Sequence, residues 1–236
     1  MKLIVSNLKM YQSGLEIKNY LDLLKPYESE NIVICPSLIH VPYFLGHKFK
    51  VGLQNISFRE LENQTGEVSA LQGKNLGVTY TIVGHHERRN YFKETNSEVN
   101  LKIKLALKNN LKVILCVGDS ASEKRNNLTE DILKKQLYEC LNGITEEVII
   151  AYEPIWLVGT NMTPTNEEIE HITKLIKDEC LKILNKNVKV LYGGNITPKT
   201  IEKLNQITNI DGYLIGLSSS KIYDFIEIIK VVNKMW

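Results

Sequence analysis

Residues 112–118 read KVILCVG, five apolar side chains in succession between a lysine and a glycine. An unbroken apolar run of this length, rich in β-branched residues and closed by Gly, is the pattern of a strand buried on both faces. Working outward, seven more runs share it: KLIV (2–5), NIVIC (31–35), KVGLQ (50–54), YTIVG (80–84), EVIIAYE (147–153), VKVLYGG (188–194) and GYLIGL (212–217). Helix start signals lie between them. Thr95 with Glu98 and Thr165 with Glu168 fit capping boxes, and Thr197-Pro198 offers an N-cap followed by Pro at the first helical position. After Thr165, Ile169, Ile172 and Ile176 share one helical face that can pack on a sheet. Eight strand-helix units without a linker predict one α/β domain over residues 1–236, a closed (β/α)8 barrel rather than an open doubly wound sheet.

The composition excludes several classes. The chain has 236 residues, 43% hydrophobic and 24% charged, with 29 Lys+Arg against 27 Asp+Glu interspersed to a net +2. No long basic face argues for nucleic acid or a membrane surface. No apolar run approaches the roughly 20 residues of a membrane span, and the start, MKLIVSNLKMY, is too short in apolar residues for a signal peptide. Cys35, Cys116, Cys140 and Cys180 are scattered without CxxC spacing. They are expected as reduced, buried thiols of a cytoplasmic protein.

In such a barrel, polar residues at strand ends gather at one mouth. Here these are Asn7 and Lys9, then His85 through Arg89, Glu153-Pro154, Gly193-Gly194-Asn195 and Gly216-Leu217-Ser218. A carboxylate at Glu153 can take a proton from carbon where water is excluded. A neutral imidazole can polarise a carbonyl, Lys9 supplies positive charge, and the glycine turns can offer N–H groups to a phosphate. Together they read as proton transfer α to a carbonyl on a small phosphorylated sugar, with no cofactor. Taken singly, each residue has a plainer reading. Lys9 alone would be a solvated lysine, YGGN a simple turn, and Glu87 with Arg88 a surface ion pair. His85 and His86, as neighbouring strand residues, are expected to point to opposite faces and not to share a ligand, so no metal site is expected.

The segments SNLKM (6–10), TGE (65–67), GHHERR (84–89), CVGD (116–119), AYEPIWLVGT (151–160), YGGN (192–195) and DGYLIG (211–216) occur in the order and at the separations found in triosephosphate isomerases. The chain resembles that family over nearly its whole length. The resemblance implies a TIM barrel in which Glu153 is the base, His85 the neutral electrophile, and Asn7 and Lys9 bind substrate, Lys9 also stabilising negative charge. It implies that PIWLVGT (154–160) is a closing lid with Gly159 reaching the phosphate, and that Asn195, Gly216 and Leu217 form the rest of the cradle. It implies that Glu67 and Arg88 are a supporting ion pair, and that Thr65 docks on a neighbouring subunit of a homodimer.

Several positions depart from the family pattern. His86 stands where the family usually has a serine that contacts the base in the open enzyme, Asn195 replaces a serine, and Leu217 replaces the second glycine of a pair, where a positive φ would be costly. Leu157 and Asn161-Met162 alter the lid, and Leu8 replaces a common tryptophan. Alternatives to the triose isomerase are therefore a paralogue acting on another small sugar phosphate, such as a tetrulose phosphate, and a barrel kept for partner binding.

Overall fold

A computed structural model describes residues 1–60, 63–157 and 164–235. Eight parallel strands close into a barrel in chain order: β1 Leu3–Asn7, β2 Ile32–Cys35, β3 Lys50–Leu53, β4 Tyr80–Val83, β5 Lys112–Asp119, β6 Ile149–Pro154, β7 Val190–Tyr192 and β8 Gly212–Ile215, with β8 pairing back onto β1. Each strand falls on one of the eight apolar runs. The continuous apolar character is explained by burial on two sides. Val5, Cys35, Ile82, Cys116, Ala151, Leu191 and Leu214 pack together inside the barrel. Their chain neighbours Ile4, Ile34, Val83, Leu115, Ile150, Val190 and Tyr213 belong to the larger core between barrel and helices. Strand side chains alternate faces, so two steps beyond Val5 and Ala151 the lumen side is taken by Asn7 and Glu153. Both stand at the carboxyl ends of their strands, and both are buried.

The helices begin as their caps predict. Thr95 Oγ1 accepts from the Glu98 N–H and Thr165 Oγ1 from the Glu168 N–H, each with the reciprocal bond of a capping box. The helix Asn166–Leu184 buries Ile169, Ile172, Ile176, Cys180 and Leu184 on one face. Each such aliphatic side chain contributes about 1.5–3 kcal/mol on burial. Thr197-Pro198 opens a turn rather than the helix itself. The helix runs Ile201–Asn205 with Thr200 as its N-cap, because Thr197 Oγ1 accepts from the Thr200 N–H and holds one turn ahead of it. All four cysteines are free and buried. Among the described residues, no helix is long and apolar enough to cross a membrane.

Candidate active site

The mouth is built from short turns at strand ends. After β1, Lys9 adopts φ +47°, a left-handed conformation that a lysine enters only under constraint. The constraint is visible: Ser37 Oγ at 2.7 Å and Gln54 Nε2 at 3.0 Å both donate to the Lys9 carbonyl, while the Lys9 N–H donates to Asn7 Oδ1 at 3.2 Å. Lys9 Nζ lies 2.7 Å from Glu87 Oε1.

After β4, Gly84 turns the chain with φ +69°, and Arg89 donates back to its carbonyl at 2.7 Å. This turn makes His85 the N-cap of the helix His86–Phe92. The Glu87 N–H donates to His85 Nδ1 at 3.3 Å, so the imidazole itself caps the helix. That bond needs a lone pair on Nδ1 and leaves the ring proton on Nε2. His85 Nε2 stands 3.0 Å from Glu153 Oε1, and the His86 N–H donates to Glu153 Oε2 at 3.1 Å.

The electrostatics follow from this contact. Burial alone would raise the Glu153 pKa; the charge and hydrogen bond of His85, then the charge and backbone N–H of His86, outweigh it and hold the carboxyl down to about 2. Burial lowers the His85 pKa, but Glu153 and then Glu87 overcome it and move it upward. That upward pull and the donor into Nδ1 oppose each other. The direction of the Glu87 hydrogen bond decides the resting form, a neutral imidazole with Nε2–H toward Glu153. His86 is lowered, chiefly by burial.

The two histidines do not diverge. Neither is a strand residue, since β4 ends at Val83, and their rings lie 4.4 Å apart at 33°. His86 Nδ1 is 3.9 Å from the same Glu153 Oε1 that His85 meets. The expectation of opposite faces is corrected by the turn at Gly84.

The family model for triosephosphate isomerase matches residues 2–232. Triosephosphate isomerase of Clostridium tetani is 39% identical over 96% of this chain and 95% of its own length. That of Dictyoglomus thermophilum is 36% identical over 97% and 98%, and that of Alkaliphilus oremlandii 38% over 94% and 94%. The chain belongs to the triosephosphate isomerase family.

Against that family's pattern, Asn7, Lys9, His85 and Glu153 converge at the mouth, and Gly216 adjoins them. A Cβ on Gly216 would lie 3.6 Å from Lys9 Cε. Leu217 begins the short helix Leu217–Ser220 and is exposed; its φ is not positive, so the expected backbone penalty does not arise. Asn195 is exposed, its carbonyl accepting from Thr200 Oγ1 at 2.9 Å. Gly194 has a steric reason to be glycine, because a Cβ there would meet Tyr192 Oη at 2.0 Å. Thr65 is exposed in a turn. Gly159 and Asn161-Met162 lie outside the described residues.

Within the described chain Arg88 pairs elsewhere than the resemblance implies: Arg88 Nε bonds Glu94 Oε2 at 3.1 Å, while Glu67 is exposed. Glu94 is buried and also meets Lys102 Nζ at 2.5 Å, and it accepts from the Gly84 N–H at 3.2 Å. A buried carboxylate attracts the cations within reach, and an exposed one competes poorly. Sequence reading missed Glu94, and with it Gln54 and Gln136, whose amide exchanges two hydrogen bonds of 2.9 Å with the Gly118 backbone opposite Glu153. A glutamine or glutamate carries no local signal of such a role; only distance in space reveals it.

Proposed function

We propose that this chain interconverts glyceraldehyde 3-phosphate and dihydroxyacetone phosphate, as a cytoplasmic homodimer serving glycolysis and gluconeogenesis without a cofactor. The observation that carries the reading is the Glu153 carboxylate held between His85 Nε2 and the His86 N–H, beside Lys9. Glu153 takes a proton from the carbon next to the carbonyl, and the bonding pair moves to the carbonyl oxygen. His85 Nε2–H donates to that oxygen and carries the proton between the two oxygens of the enediolate. Glu153 then returns its proton to the neighbouring carbon. Lys9 stabilises the negative charge, with Asn7 beside it, and Gly159, Asn195, Gly216 and Leu217 receive the phosphate. The resting carboxylate, tied to His85 Nε2 and the His86 N–H, is a weakened base. Substrate must therefore replace the His85 contact and exclude water before Glu153 can act.

Dimer formation is supported by an apolar surface around the Lys9 turn: Met10, Leu15, Ile39 and Tyr43 are all exposed. Thr65 is proposed to dock there from the second subunit. Exposed Leu217 on the phosphate side favours one second reading, the same chemistry on a tetrulose phosphate. Conversion of glyceraldehyde 3-phosphate by the purified chain, followed through a coupled dehydrogenase, tests the proposal; absence of turnover refutes it.

A further inference from the structure

One ring nitrogen each of His85 and His86 and a Glu153 carboxylate oxygen all lie within 4.8 Å of one another. We propose that these three side chains form a zinc site that closes the isomerase reversibly, a second ligand chemistry at the site assigned above. His85 and Glu153 hold each other, but His86 Nδ1 is buried with no hydrogen-bond partner among the described residues. A buried nitrogen left unpaired is costly, and coordination would satisfy it.

The separations are near those of a small tetrahedral ion. Bonds of about 2.0–2.1 Å to imidazole and carboxylate place neighbouring ligand atoms about 3.3 Å apart. Here His85 Nε2 and His86 Nδ1 stand 3.0 and 3.9 Å from Glu153 Oε1, so each histidine–carboxylate separation comes within about half an ångström of that spacing. Coordination through Nε2 moves the remaining His85 proton to Nδ1. The Glu87 N–H bond to Nδ1 would then be given up, and Glu87 Oε2, now 3.6 Å away, would approach to accept the Nδ1 proton in the carboxylate–histidine–metal arrangement that orients such ligands. Two imidazoles and one carboxylate select a borderline divalent ion over Mg²⁺, which prefers oxygen and its own water. Three protein ligands leave the fourth position open toward the mouth.

Bound zinc would occupy both the lone pair of the proposed base and the nitrogen of the proposed electrophile. Inhibition therefore rests on the isomerase reading, whereas binding does not.

The test is titration of Zn²⁺ into the chelator-treated full chain against a chromophoric competitor, with isomerase turnover followed in parallel. One ion per chain is expected, with inhibition at the same midpoint and recovery on adding EDTA. His86→Ser and Glu153→Gln, each checked for folding by circular dichroism, are expected to weaken binding by about 100-fold, the upper range for loss of even a supporting partner. His47→Ala and His171→Ala, which remove the surface pairs with Glu28 and Glu130, should bind as the parent does. Absence of binding by the folded parent would overturn the proposal. So would parent-like affinity in His86→Ser or Glu153→Gln, or loss of binding in His47→Ala or His171→Ala. Binding without turnover in any sample would leave the zinc site standing and refute the isomerase instead.

Discussion

His85 Nε2 and Glu153 Oε1 are 3.0 Å apart, so the proposed electrophile and the proposed base occupy each other until substrate separates them. The resting site is thereby closed on itself. It keeps a carboxylate ionised in a buried place, at the expense of its basicity. Catalysis then depends on geometry more than on the resting pKa.

Glu153→Asp tests that dependence. Aspartate is shorter by one methylene and withdraws the carboxylate by over an ångström from where β6 presents it. A misplacement near 1 Å can cost on the order of 100-fold in rate. We expect kcat to fall by about that factor or more while KM changes little, as steady-state kinetics will measure. An unchanged kcat would remove Glu153 as the base.

The depressed carboxyl has a consequence for stability against pH. Its folded pKa, about 2, is below the ordinary 4.5, so its stabilising contribution is full above 4.5 and is lost as pH falls toward 2. The displacement corresponds to roughly 3 kcal/mol at 1.36 kcal/mol per pH unit. Urea unfolding of the parent and of Glu153→Gln should therefore show a larger gap in favour of the parent at pH 7 than at pH 3. A gap independent of pH would contradict the lowered carboxyl pKa of the folded state.

Glu94→Gln should be severely destabilising. Lys102 is 1% exposed and would lose its buried counter-charge, and Arg88 would lose the same partner. Breaking a buried pair from one side costs about 3–5 kcal/mol. Denaturant unfolding at pH 7 checks it, and a loss under about 1 kcal/mol, the scale of a surface pair, would contradict the reading.

Ile39→Glu probes assembly. Ile39 is 76% exposed, and Ser37, two residues before it, donates to the Lys9 carbonyl. Sedimentation should find the parent dimeric and the variant shifted toward monomer with reduced turnover. A fully active monomeric parent would refute the interface.

All eight strands were legible in the sequence because double-sided burial leaves long apolar runs, and period two carried Asn7 and Glu153 to the lumen. Lys9, His85 and Glu153 were legible as polar residues at strand ends. The histidine pair was misread because strand alternation was applied one turn too far; Gly84, with φ +69°, ends the strand geometry before it reaches them. The partner that Arg88 meets within the chain was not legible for a different reason. Glu94 became a counter-ion through being buried beside Lys102 and the Gly84 N–H, and no spacing rule encodes that.

The central claim is turnover of a triose phosphate at this mouth. The most direct measurement compares kcat/KM for glyceraldehyde 3-phosphate with that for tetrose phosphates, using the purified chain in a coupled assay. The account predicts clear turnover with preference for the triose. Absence of triose turnover, or a preference for a tetrose, would contradict it.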